Sequence, residues 1–170
     1  NADLANSWGN LISRSLNMSA KYFDGCAPAR PADAAAFANP LAQIAEGLYD
    51  RYAACMDKVD YVGAKDAVME LIHAANHYIE DCEPWGLAKD EAKHDELAFV
   101  IYNLLEAIRI AAHLLAPFMP QTSAEALRRI ACADEAQCDD LRAACAWGGL
   151  AGGAPVEKGD PLFPRLQADK

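Results

Sequence analysis

Apolar residues recur at helical spacing through the first 25 residues and predict one long amphipathic helix there. The segment ends in Asp24-Gly25, where glycine suits the left-handed residue that closes many helices. On the polar side, Asn10 and Arg14 lie one turn apart. The apolar side needs other helices to pack against, so the pattern predicts a bundle. Its apolar stripe is formed by Leu4, Trp8, Leu11, Ile12, Leu16, Met18, Tyr22 and Phe23.

The same periodicity predicts four further helices, with proline and glycine between them. Asp60 suits the N-cap of the third helix, and Pro84 ends it because the residue before a proline avoids helical dihedral angles. The expected helices are 41–56, 60–82, 91–116 at the centre of the bundle, and 122–130 behind a capping signal, with a short helical piece at 87–89.

The last part of the chain has a different composition. Five glycines and three prolines after residue 147 predict an extended, irregular tail whose apolar residues need a surface to cover. We therefore expect an all-α fold, with a helical bundle of about five helices over residues 1–132. A C-terminal extension at 133–170 is expected to pack back on that bundle.

Composition supports a single domain with a real core. The chain has 170 residues, of which 53% are hydrophobic, and alanine is abundant. No continuous apolar run reaches the length that spans a bilayer, and no signal-peptide pattern opens the chain, so we expect a cytoplasmic protein without a membrane partner. The first residue is Asn1, which suggests a piece excised from a longer protein. The six cysteines lack CxxC spacing and are expected to be reduced thiols.

The net charge of −10 argues against nucleic acid as a partner, but the charge is unevenly distributed. Residues 1–30 carry three basic and two acidic side chains, a balance of +1. Residues 31–120 carry six basic and fifteen acidic side chains, a balance of −9. The first helix is therefore the surface that repels a polyanion least.

Two groups of residues allow a functional as well as a structural interpretation. Asn10 and Arg14 could form paired hydrogen bonds to base edges, although a solvated helix face is the commoner explanation of such a pair. Trp85 follows a proline at a helix break and could stack an unpaired base, although core packing is commoner.

His73 and His77 have a chelating spacing without an acidic residue between them, and we expect ordinary surface histidines. The sequence predicts no catalytic residues and no metal site.

Three stretches carry a family resemblance: NADLANSWGNLISRSLNMSAKYFDG, NHYIEDCEPWGLAK and HLLAPFMPQTSAEALRRI. With the tail WGGLAGGAPVEKGDPLFPRL, the whole chain resembles the anticodon-binding helical bundle of methionyl-tRNA synthetases, which are class I aminoacyl-tRNA synthetases. The resemblance implies that Asn10, Arg14, Pro84 and Trp85 contact the CAU anticodon loop of tRNA(Met). It also implies a catalytic domain in the same polypeptide, on which the tail would pack.

The family's catalytic signatures HIGH and KMSKS do not occur in this chain. The resemblance therefore implies that ATP serves the parent enzyme, that this fragment holds no cofactor, and that it is inactive alone. Two alternatives stay open from the sequence. One is the corresponding bundle of a related synthetase for valine, isoleucine, leucine or cysteine; the other is a helical scaffold that binds protein and no RNA.

Overall fold

The computed structural model describes residues 4–163, without the side chains of residues 4, 5, 136 and 137. Within that range the protein is helical, with no β-strand and one isolated bridge between Cys26 and Pro155. The all-α bundle with an extended tail is confirmed. The α-helices are α1 (Gly9–Tyr22), α2 (Pro40–Ala45), α3 (Leu48–Asp57), α4 (Tyr61–Cys82), α5 (Pro84–Leu87), α6 (His94–Leu115), α7 (Pro120–Arg129) and α8 (Leu141–Ala144).

Helix α6 forms the centre of the bundle, as its apolar sequence predicts. Every side chain from Leu97 to Leu115 is buried, and α1, α4 and α7 pack around it. By length and composition the 91–115 segment could cross a membrane, but its most apolar window is completely buried inside the protein. The segment is therefore the core helix of the bundle.

Helix α4 follows the prediction at both ends. The Asp60 carboxylate accepts a hydrogen bond from the Gly63 N–H at 2.9 Å, and Glu83 ends the helix in a left-handed conformation. The helical periodicity also predicts that Val62 is buried, and this is wrong: Val62 is 67% exposed, because the first turn of α4 extends beyond the packed core. All six cysteines of the chain are free thiols.

The predicted second helix is interrupted. Glu46 is extended and Gly47 has φ 70°, so the segment forms α2 and α3 instead of one helix. Glycine adopts this left-handed angle at little cost, and it lets the chain turn between two short helices that pack on α4. Asn39 caps α2, where its side chain accepts a hydrogen bond from the Ala42 N–H at 3.0 Å.

The predicted capping signal at Thr122-Ser123 is also wrong. Helix α7 begins earlier, with Pro120 in its first turn, a position where the missing N–H costs nothing. Ser123 is buried inside the helix, and its hydroxyl forms no hydrogen bond within the described part of the chain. Glu125 pairs with Arg128 and Arg129 on the same helix.

A π-helical turn, Leu4–Trp8, precedes α1 where the sequence predicts a regular α-helix. The predicted apolar stripe faces the core through Trp8, Leu11, Ile12 and Leu16, while Met18, Tyr22 and Phe23 are partly buried against it. Asp24 and Gly25 both have positive φ, and the Gly25 N–H donates to the Ser19 carbonyl at 3.2 Å. The predicted helical positions 1–3, the side chain of Leu4 and the tail beyond 163 lie outside the described residues.

A buried carboxylate fastens the C-terminal segment to the core. Glu106 of α6 is fully buried and accepts hydrogen bonds from the backbone N–H groups of Gly148, Gly149 and Leu150 at 2.6, 2.9 and 3.0 Å. The Arg109 guanidinium donates to the same carboxylate at 2.7 and 3.0 Å. Five donors therefore surround one anion and fix the start of the tail.

Further along, the tail crosses α7 and returns to α1. The Glu157 carboxylate pairs with Arg128, and the Arg129 guanidinium donates to the Asp160 carbonyl at 2.8 Å. Phe163 packs its ring 5.9 Å from that of Trp8. The end of the described tail thus lies beside the beginning of α1.

We expect acid to weaken α7 through Glu125. Its hydrogen bonds from Arg128 and Arg129 lower the pKa of this carboxyl from 4.5 to about 2. Because the folded pKa is depressed, the stabilisation is complete above pH 4.5 and disappears as the pH falls toward 2. Urea unfolding measured over this pH range should show that the difference in unfolding free energy between the parent chain and Glu125→Gln becomes smaller as the pH falls. A difference that does not change with pH would contradict the assignment.

Candidate nucleic-acid interface

The polar face of α1 is anchored to α4 at its beginning. The Asn76 side-chain amide donates to the Ser7 carbonyl and to the Ile72 carbonyl, both at 3.0 Å. Asn10 lies one turn further along α1 and is exposed, and its side chain makes no hydrogen bond to the described residues. The Asn10 amide is therefore held on a fixed helix, and its donor and acceptor groups are available to a ligand.

Arg14 lies on the same face, closer to α4. Its guanidinium forms an ion pair with Glu80 at 2.7 Å, and the two side chains are 39% and 57% exposed. An exposed pair of this kind contributes little to stability, so its effect is mainly to orient Arg14. Glu80 lies in the last turn of α4, which brings Arg14 to the end of that helix.

The chain turns sharply directly after α4. Glu83 adopts φ 43° and ψ 60°, and it is both the C-cap of α4 and the N-cap of α5. A non-glycine residue in this conformation is strained by about 1–3 kcal/mol and needs its surroundings to hold it. The Gly86 N–H donates to the Glu83 carbonyl at 2.7 Å, which closes the turn.

This turn separates Pro84 from Trp85. Pro84 is buried and begins α5, so its ring belongs to the core and shapes the turn. Trp85 is 40% exposed, and its indole makes no hydrogen bond or ring contact with the described residues. The indole face is therefore available at the surface of a rigid turn.

The candidate surface thus consists of Asn10, Arg14 and Trp85, while Pro84 is buried in the turn before Trp85. The link is the end of α4, since Glu80 contacts Arg14 and Trp85 follows five residues later. Such a surface offers hydrogen-bonding groups for base edges beside a flat aromatic face. Glu80, Asp81 and Glu83 are exposed around it, so the surface is not a general polyanion site.

Sequence reasoning missed two features of this region. Glu80 was not expected as the partner of Arg14, because nothing in a single sequence relates residues so far apart. A cleft of about 420 Å³ beside Asn10 was also missed, because its second wall comes from the tail.

Among residues 4–163 no group of three or more His, Cys, Asp or Glu side chains could hold a metal, and His73 and His77 are exposed.

Comparisons with known proteins identify the family to which the chain belongs. Residues 28–170 match the model of a family described as the anticodon binding domain of methionyl tRNA ligase. The chain is 40% identical over 170 residues to a methionine–tRNA ligase of Streptococcus pneumoniae and 38% identical over 172 residues to one of Bacillus subtilis. Each alignment covers 100% of this chain and 25% of the relative, so the chain spans about a quarter of their length.

A solved structure matches the whole fold. The crystal structure of free methionyl-tRNA synthetase from Mycobacterium tuberculosis superposes with a TM-score of 0.82 and 32% sequence identity. The match covers 98% of this chain and 33% of that one. The complex of the same protein with methionyl-adenylate gives a TM-score of 0.80.

Proposed function

Because the chain belongs to the family of the anticodon-binding domain of methionyl-tRNA ligase, we propose that it recognises the CAU anticodon of tRNA(Met). It would do so as part of a polypeptide that attaches methionine to this tRNA with ATP in the cytoplasm. A catalytic domain in the same polypeptide would be its second partner. The chain carries neither HIGH nor KMSKS, so activation of methionine would belong to that other part.

One observation supports the assignment of roles above all others: Arg14 pairs with Glu80 in the last turn of α4, and Trp85 follows Glu80 by five residues. The ion pair with Glu80 holds the Arg14 guanidinium against this helix end, and the strained Glu83 turn that follows carries the Trp85 indole, which is 40% exposed. Bases of an anticodon loop are unpaired, so both their edges and their faces are accessible. The guanidinium would bond to the edge of one base, and the indole would stack on another.

Asn10 would complete the recognition of base edges. Its free amide offers a donor and an acceptor one turn before Arg14, and both residues lie on one stiff helix. Pro84 would act indirectly, since its buried ring fixes the turn that carries Trp85.

The acidic surroundings affect how the RNA would be held. Glu80, Asp81 and Glu83 are exposed next to Trp85 in the chain, and the net charge of the chain is −10. Binding by the domain would therefore depend on bases more than on phosphates. The remainder of the enzyme would supply most of the electrostatic attraction for the tRNA.

Titration with RNA stem-loops tests this function. We expect the 170-residue chain to bind a stem-loop carrying CAU more tightly than loops with the same three nucleotides permuted, because only CAU satisfies the edge contacts. One good paired contact corresponds to about 1–3 kcal/mol of discrimination. Fluorescence anisotropy of labelled stem-loops measures the ratio. Equal affinity for all permutations would contradict the proposal.

A further inference from the structure

A cleft of about 420 Å³ separates α1 from the end of the tail. Asn10 lies in its lining together with Asn6, Ser13 and Asn17, which follow one another at three- and four-residue spacing along α1. None of these four side chains makes a hydrogen bond to the described residues. One wall of the cleft is therefore a row of free amide and hydroxyl groups.

The opposite wall is formed by the tail and has a different character. Pro161, Leu162 and Phe163 supply apolar surface, and Lys158 supplies a cation that pairs with no carboxylate among the described residues. The position of this wall is fixed, because the Arg129 guanidinium donates to the Asp160 carbonyl at 2.8 Å and Phe163 packs on Trp8. The cleft is thus preformed between two anchored elements.

These two walls suit one class of ligand. An unpaired nucleotide has polar edges for the amides, apolar faces for the tail and a phosphate for Lys158, and a cleft of this size can hold it. The Asp160 carboxylate also lies in the lining and would repel a phosphate, which places the phosphate at the Lys158 end. The cleft is continuous with the proposed anticodon surface, since Asn10 belongs to both.

We propose that this cleft binds one unpaired nucleotide of the RNA loop that lies outside the CAU triplet. This inference rests on the proposed function. The RNA would pass from Trp85 over Arg14 and Asn10 and would continue across α1 into the cleft. Asn17 would contact the base edge, and Lys158 would contact the phosphate.

A coupling experiment tests the contact with Asn17. CAU stem-loops with one abasic site at each other loop position are titrated against the parent chain, Asn17→Ala and Gln43→Ala, an exposed amide on α2. In the parent chain one abasic site should weaken binding about fivefold or more, because a base contact corresponds to about 1–3 kcal/mol. Asn17→Ala should remove most of that penalty, whereas Gln43→Ala should keep it.

Salt dependence tests the contact with Lys158. Lys158→Ala should weaken binding of every loop by a similar factor and reduce the slope of log Kd against log salt by about 0.7–1. Lys58→Ala changes an exposed lysine between α3 and α4 and should leave both values unchanged.

The outcomes separate this inference from the proposed function. If no loop position is coupled to Asn17 and Lys158→Ala binds like the parent chain, the cleft is not a nucleotide site, while a retained preference for CAU keeps the anticodon function. If the parent chain shows no preference for CAU, the anticodon function is wrong and the inference falls with it.

Discussion

Replacing Glu106 by alanine is expected to cost about 3–5 kcal/mol of unfolding free energy, the usual effect of removing one partner from a buried ion pair. Glu106 is 0% exposed and Arg109 is 2% exposed, so the buried guanidinium would lose its closest carboxylate and would keep only Glu135, at 3.1 Å, as an anionic partner among the described residues. Burial alone lowers the pKa of Arg109, but the hydrogen bonds and charge of Glu106 outweigh it and raise that pKa above its ordinary value. Without Glu106 the guanidinium still stays protonated, because arginine is effectively always charged in proteins, so it cannot escape the penalty by losing its proton.

The Glu106→Ala substitution would also destabilise the start of the tail. The N–H groups of Gly148, Gly149 and Leu150 would lose their acceptor, and the cost is largest for Leu150, which is the buried one of the three. Gly149 lies so close to Arg109 that a Cβ atom there would meet the guanidinium at 2.7 Å. We therefore expect the segment around residue 149 to detach first, with faster hydrogen exchange than in α6.

Urea unfolding followed by circular dichroism measures this effect. Glu46→Ala removes an exposed carboxylate and is the matched control, with an expected change within about 0.5 kcal/mol. Adding Arg109→Met to Glu106→Ala should recover part of the loss, because it removes a buried charge that has lost its closest carboxylate. A cost below about 1 kcal/mol for Glu106→Ala would show that the buried carboxylate does not hold the tail.

The second expected result separates the two roles at the proposed anticodon surface. Trp85→Ala should weaken binding of the CAU stem-loop by about 1–3 kcal/mol, the value of one stacked base, and Trp85→Phe should recover part of this. Arg14→Ala should instead reduce discrimination among anticodons, because it removes hydrogen bonds to a base edge. The two variants therefore differ in which quantity changes.

The folded state should be nearly unaffected by both changes. Trp85 is 40% exposed, and the Arg14–Glu80 ion pair is exposed on both sides, so each contributes little to the core. Tyr61→Ala at the other end of α4 is the matched aromatic control, since Tyr61 is 54% exposed. A fall of many degrees in the melting temperature of Trp85→Ala would mean that the indole is a core residue.

Local signals in the sequence account for much of the fold. Asp60 and Pro84 mark the ends of α4 because capping and the restriction before proline act within a few residues. Gly47 is also a local signal, but a glycine inside an apolar pattern is compatible with a continuous helix, so the break between α2 and α3 was missed. The start of α7 was misplaced because two local signals competed, and Pro120 prevailed over Thr122-Ser123.

Only part of the candidate site could be predicted from the sequence. Asn10, Arg14 and Trp85 carry suitable chemistry in the sequence, but the contact of Arg14 with the end of α4 depends on the packing of α4 against α1. The Glu80 partner of Arg14, the Glu106 anchor and the cleft wall at Lys158 all depend on contacts between distant segments. Glu106 and Arg109 did leave one trace, as two opposite charges three residues apart in the most apolar helix.

Aminoacylation kinetics of the full-length enzyme, with and without Arg14→Ala, test the central proposal most directly. The measured quantity is the ratio of kcat/KM for tRNA carrying CAU to kcat/KM for tRNA with one anticodon nucleotide changed. If Arg14 bonds to a base edge, Arg14→Ala should lower kcat/KM for CAU and move the ratio toward one at a single anticodon position, by about 1–3 kcal/mol. An unchanged ratio at all three positions, with unchanged charging of CAU, would contradict anticodon recognition by Asn10 and Arg14.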